Sequence, residues 1–152
     1  MKAVLTRVSS AAVVLQDATH AGQRRSIGPG FLVLLGVGNE DTEASADKLA
    51  DKILALRVFS NAEGKFDLSI QDTRGEILLI SQFTLYASLK GGRRPDFTSA
   101  ARPEKARPLC ARVAERLAAS QLVVQTGEFA ASMTVESVNE GPVTVIADTD
   151  CF

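Results

Sequence analysis

Two short apolar runs set the strongest limit on the fold. Phe31–Val37 and Ile77–Ile80 contain no polar side chain. Runs of this length and composition read as inner strands buried on both faces. Neither approaches the ~20 residues that a membrane-spanning helix requires. Other parts of the chain must therefore cover both of their faces. The length of 152 residues suits one domain, expected over 1–152. A chain of this size buries roughly 68–70% of its unfolded surface, so it needs no disulfide or metal to fold.

The remaining pattern supplies the covering elements. Lys2–Leu15 reads as a strand, with Ala3, Leu5, Val8, Val13 and Leu15 as its apolar positions. Gly28-Pro29-Gly30 is a turn or strand entrance. Asn39–Glu43 signals a helix start, and Ala46, Leu49, Ile53 and Leu56 follow at helical spacing. Arg57–Ser60 reads as a short strand and Asn61–Lys65 as a turn. Phe66, Leu68 and Ile70 then alternate, and Glu76–Leu85 forms the second inner strand. Beyond the Gly- and Arg-rich loop Lys90–Pro95, Ser99 is the expected cap of a second helix. Pro103 and Pro108 place the regular part of that helix late. Leu109, Cys110, Val113 and Leu117 give it an apolar face. Leu122–Gln125, Met133–Val138 and Val143–Ala147 complete the strands. Strands outnumber helices, which predicts an α+β fold: a mixed or antiparallel, barrel-like β-sheet with two helices packed on it.

Composition narrows the chemistry. Hydrophobic residues make up 45% and charged residues 23%, a globular rather than disordered balance. Ala11–Leu15 is too short for the apolar core of a signal peptide. Cys110 and Cys151 form no CxxC or Cys/His cluster, so neither a disulfide framework nor a metal site is expected, and a reducing cytoplasm suits both thiols. The single histidine, His20, falls in a polar stretch, Asp17–Arg25, that reads as a hairpin loop. It is a poor candidate for a catalytic base. Charge is uneven. Lys90–Arg116 holds eight bases and three acids, whereas Ser120–Phe152 holds five acids and no base. A basic block on an acidic chain fits an anionic partner contacted at one place. The alternative is a solvated basic helix.

Two segments carry candidate chemistry. Ser81-Gln82-Phe83-Thr84-Leu85 sets three polar side chains at the end of an apolar strand. Buried polar groups need partners, so such clusters often mark sites. Strand alternation would send Gln82 and Thr84 to one face, and Ser81 and Phe83 to the other. Asn139-Glu140-Gly141-Pro142-Val143-Thr144 reads as a turn. Its Gly-Pro bond can be cis at modest cost, although a plain turn with a trans bond is the commoner form.

Together the two segments resemble the signature of the D-aminoacyl-tRNA deacylase family. The likeness extends over nearly the whole chain. It takes in Arg7-Val-Ser-Ser-Ala, Gly30–Val37, Arg57–Lys65, Arg94-Pro95 before Phe97, and Gln125–Met133. The resemblance implies hydrolysis of the ester between a D-amino acid, or mischarged glycine, and the 3′-terminal adenosine of tRNA. It implies a homodimer with active sites at the interface and no cofactor. It also implies that Gly141 and Pro142 enter the partner's pocket in the cis form. There their carbonyl oxygens would fill the space that an L side chain needs. A rigid block against the wrong hand discriminates more strongly than apolar contacts, which differ by only ~1–3 kcal/mol.

The hydrolytic machinery is less evident. No Ser-His-Asp set can be assembled. Thr84 is the obvious hydroxyl, but a threonine without an adjacent base is a weak nucleophile. Main-chain N–H groups near Phe83-Thr84 are the expected oxyanion hole. In the family the preferred view has the tRNA 2′-hydroxyl help to activate water. Ser81 and Gln82 would hold substrate or pocket shape. Lys90, Arg93 and Arg94 are candidates for acceptor-end phosphates, which give affinity without reading sequence. Phe129 is a candidate for stacking on adenine, with a core role as the alternative. Asp96, where the family commonly has serine, departs from the pattern. Two rivals remain: a trans-proline relative acting on certain L-aminoacyl-tRNAs, and a non-catalytic RNA-binding protein.

Overall fold

In the computed structural model the described residues are 1–17 and 21–152, so His20 and the middle of the expected 17–25 loop lie outside them. The long strand β1, Lys2–Leu15, organises the sheet. Its second half pairs antiparallel with β2, Arg24–Ile27, so the expected hairpin forms. Its first half pairs antiparallel with β3, Gly30–Gly36. Thr42 then caps helix α1, Glu43–Ala55, in a reciprocal capping box with Ser45. The short strands β4, Phe59–Ser60, and β5, Phe66–Leu68, form a separate two-stranded sheet.

The alternation through Ile70 breaks after Leu68. Ser69 caps a single helical turn, α2, Ile70–Thr73, by exchanging hydrogen bonds with Asp72. This local capping outweighs the weak strand pattern. Strand β6, Glu76–Ser81, returns parallel to β3. Helix α3, Pro103–Ala118, crosses over to β7, Val124–Thr126, which is parallel to β6. Parallel neighbours need such crossovers. Strand β8, Met133–Asp148, runs along the free edge of β1.

The sheet order is β2-β1-β3-β6-β7, with β8 on β1. Its two ends approach each other: Arg25 of β2 donates to the Thr126 carbonyl of β7 at 2.8 Å. The sheet is thus mixed and nearly a barrel. Among the described residues it carries three α-helices rather than the expected two, because the α2 turn is added.

Both faces of the inner strands are buried, for different reasons. Phe31, Val33 and Leu35 of β3, with Ile77 and Leu79 of β6, meet α1 and α3 in one core. Leu32, Leu78 and Ile80 point into a second core enclosed by the curl of the sheet. Strand β1 serves both: Ala3 and Leu5 join the helical core, and Val8, Ala11, Val13 and Leu15 join the inner one. Its pairing with β8 is irregular between Thr6 and Ser10, where this change occurs.

Helix α3 differs from expectation at its start. Ser99 does not cap it. The helix begins at Pro103 behind Arg102, and Pro108 lies inside. Proline at the first position lacks only an N–H that has no helical partner there. Pro108 and Glu104 are both exposed, so water can satisfy the carbonyl that Pro108 leaves free. Arg112 joins α3 to α1 through a two-pronged pair with Asp47, at 2.8 Å on each arm, and a further contact to Glu43. Arg116 makes the same kind of pair with Asp51. No helix among the described residues is long and apolar enough to cross a membrane.

Candidate active site

A cavity of about 600 Å³ lies at the C-terminal end of β6. Ser81, Gln82 and Phe83 form one wall. Phe97, Ala100, Ala101 and the first turns of α3, through Ala106 and Cys110, form another. Phe129 to Ala131, Met133 and Val135 close it. The lining is mostly apolar, with few polar groups, as in small-molecule sites. Burial in it pushes the Cys110 thiol up to about 11.

The expected strand over Glu76–Leu85 ends at Ser81. Phe83–Tyr86 is a 3₁₀ turn, so strand alternation does not place these side chains. The turn forms where β6 loses its neighbours: Gln82 N–H still bonds the Leu35 carbonyl at 2.7 Å, and Leu85 N–H then folds back onto the Gln82 carbonyl. The N–H groups of Phe83 and Thr84, at the start of the turn, have no acceptor within it. Gln82 Nε2 donates to Thr84 Oγ1, which joins the two polar side chains that alternation had also grouped. Thr84 itself is exposed and lies outside the cavity lining. The exposed Phe83 ring meets Phe97 edge-on at 5.1 Å.

Gly141-Pro142 lies elsewhere. Instead of two strands joined by a turn, β8 is continuous and bulges here: Glu140 to Val143 stand opposite the single residue Arg7. The Gly141–Pro142 bond is cis rather than the commoner trans. Asn139 ties the bulge together. Its Oδ1 accepts from Val143 N–H at 3.2 Å, and its Nδ2 bonds Thr144 Oγ1 at 3.3 Å. Arg7, only 8% exposed, donates to the Glu140 carbonyl and, at 2.6 Å, to the Val58 carbonyl. Gly141 has a φ of +128°, and a Cβ there would stand 2.7 Å from Val143 Cγ2. Both Gly141 and Pro142 are exposed and absent from the lining of this chain's own cavity.

The basic candidates divide as well. Lys90, Arg93 and Arg94 are exposed on a loop closed by paired Ser88 and Asp96. Asp96 accepts from the Thr98 hydroxyl at 2.6 Å and from Thr98 N–H, which holds its carboxyl below the usual range. Phe129 is half-buried in the cavity wall.

Sequence reasoning missed three supports. Arg7 and Asn139 were visible only as parts of a motif. The third is Asp41, whose carboxylate joins the Met1 ammonium, Gly38 N–H at 2.6 Å and the Tyr86 hydroxyl at 3.1 Å. Burial, together with the Asp41 charge, pushes the Tyr86 phenol far above its ordinary range. This buried knot anchors the far end of the 3₁₀ turn. No local pattern announces it, because Asp41 and Tyr86 are distant in sequence.

The sequence and the fold both match known proteins. A family model described as D-Tyr-tRNA(Tyr) deacylase matches residues 4–148. A D-aminoacyl-tRNA deacylase of Symbiobacterium thermophilum is 52% identical, covering 99% of this chain and 97% of its own. One from Thermotoga petrophila is 46% identical, covering 98% and 97%. Among solved structures, a c-Myc DNA unwinding element binding protein superposes with a TM-score of 0.88 at 38% identity, covering 97% and 98%. A probable eukaryotic D-amino acid tRNA deacylase has the same fold, with a TM-score of 0.80 at 14% identity, covering 96% and 97%. By this match in sequence and fold, the chain belongs to the D-Tyr-tRNA(Tyr) deacylase family.

Proposed function

We propose that this protein hydrolyses the ester between a D-amino acid, or glycine, and the 3′-terminal adenosine of tRNA. The observation that carries the reading is the cavity of about 600 Å³, which ends at Ser81, Gln82 and Phe83 in a chain of this family. An aminoacylated nucleoside suits such a site: large, mainly apolar and open at one side.

Catalysis is assigned to main-chain groups and to the RNA. The first N–H groups of the 3₁₀ turn, at Phe83 and Thr84, would stabilise the oxyanion as water attacks the ester carbonyl. The tRNA 2′-hydroxyl helps to activate that water. Its proton passes to the departing 3′-oxygen, leaving free amino acid and tRNA. Ser81 and Gln82 hold the substrate and shape the pocket. The Gln82–Thr84 bond makes Thr84 a part of the turn's frame rather than a nucleophile.

Selectivity for the D hand is assigned to Gly141 and Pro142. They stand exposed on a bulge fixed by Asn139 and Arg7, away from their own cavity. That position supports insertion into the cavity of a second copy. Lys90, Arg93 and Arg94 on the exposed loop, and Phe129 in the wall, would receive the acceptor end. A cytoplasmic location follows from the substrate.

The test is release of amino acid from D-Tyr-tRNA, L-Tyr-tRNA and Gly-tRNA at sub-stoichiometric protein. D-tyrosine and glycine should be released while L-Tyr-tRNA survives. Release of none would leave an RNA binder, and release of L-tyrosine would overturn the chiral assignment. Thr84→Ala should keep the rate within about tenfold, since losing a side-chain nucleophile would cost far more.

A further inference from the structure

The basic block of α3 and its preceding loop is not one surface. Arg112 and Arg116 are committed to carboxylates of α1, and Lys105 bonds the Asn39 carbonyl. Arg107 has no carboxylate partner among the described residues. Its guanidinium carbon lies 4.6 Å from the centre of the Phe129 ring. It also lines a second cavity, of about 360 Å³. That cavity shares Leu35, Ser81, Cys110 and Phe129 with the larger one, so Phe129 lines two adjacent chambers. Glu115 lines the second chamber too, without an ion pair to Arg107.

We propose that Arg107 binds the phosphodiester immediately 5′ of the terminal adenosine, with Phe129 as the platform that orients it. The assignment rests on the function proposed above. An ester held at Ser81–Phe83 places its nucleoside in the large cavity. The next group along the RNA is then an anion that must leave beside the wall. A guanidinium stacked on a ring keeps its planar N–H edge free for two phosphate oxygens, and stacking removes much of its conformational freedom. The second chamber therefore offers the RNA an exit at Phe129. Arg107 acts in binding and not in bond cleavage.

The experiment compares wild type, Arg107→Ala and Arg107→Lys on three D-tyrosyl esters: of tRNA, of the dinucleotide CpA, and of adenosine. With Arg107→Ala, kcat/KM should fall about tenfold on the tRNA and CpA esters, mostly in KM. The loss should vanish with the adenosine ester, which has no phosphodiester. Arg107→Lys should recover part of it. The salt dependence on tRNA should become shallower by ~0.7 in the log–log slope. Equal loss on all three esters, or none on any, overturns the proposal. If wild type cleaves no ester, the activity reading fails by itself. Affinity for uncharged tRNA with and without its terminal adenosine then decides Arg107. Its substitution must weaken only the complex with intact tRNA, and equal weakening of both overturns the role.

Discussion

Cys110 and Cys151 are the same residue in opposite settings. Cys110 is part of the cavity wall, where burial holds its proton to about pH 11, whereas Cys151 is exposed. The thiolate is the reactive form. At pH 8, iodoacetamide should label Cys151 at least roughly tenfold faster than Cys110, as read by mass spectrometry of the two peptides. Equal rates would mean that the wall opens readily to solvent. The sign of the pH effect follows from the same shift. The folded chain holds the Cys110 proton more tightly than the unfolded one, so this contribution is present below about pH 9 and declines towards pH 11.

At the scale of elements, the α1–α3 contact joins apolar packing to charge pairing. Leu49 and Ile53 of α1 share a core with Val113 and Leu117 of α3, and Arg112 and Arg116 clasp the edge. The Arg112 hydrogen bonds hold the Asp47 carboxyl below its usual range. A lowered carboxyl stabilises the fold above its unfolded value, near 3.8, and the gain disappears as pH falls through that value and below. Thermal melts between pH 6 and pH 3 should therefore show wild type ahead of Arg112→Leu at pH 6, with the gap closing in acid. A gap independent of pH would assign the effect to packing by the arginine stem instead.

The long elements were legible in the sequence because burial repeats along them. The two inner strands and α1 show this, as does the apolar face of α3. What escaped depends on a few local bonds. Ser69 and Asp72 turn Ile70 into a helix start, and Gln82 folding back ends β6 at Ser81. The candidate site was legible as two motifs, and the resemblance already set Gly141 and Pro142 in a partner's pocket; what no residue pattern showed is the bulge of β8 along β1 that carries them. Arg107 was hidden for a different reason: charge counting treats all eight bases alike, and only their partners distinguish them.

At the scale of the whole molecule, β8 leaves apolar side chains uncovered. Val138 is 57% and Ile146 74% exposed, on the two sides of the Gly141-Pro142 bulge. The proposed second copy would cover this strand. Val138→Glu would set a charge in that contact, at a penalty of a few kcal/mol. Sedimentation at micromolar concentration should show a wild-type dimer and a variant shifted towards monomer, with deacylation reduced at least about tenfold. A monomeric wild type that remains active would remove the cross-subunit account of selectivity.

The pairing of Lys2 with Asp148 and of Leu15 with Met133 has a bearing on how the protein is made. Strand β1 comes early in the growing chain, and the strand that covers its outer edge comes late. While the intervening residues are being added, fourteen residues of β-structure present open hydrogen-bonding groups to any passing strand. Both cores depend on β1, so neither can be finished early and set aside. The hazardous period for this molecule is thus its synthesis rather than its working life, and the last strand to emerge is the one that ends it.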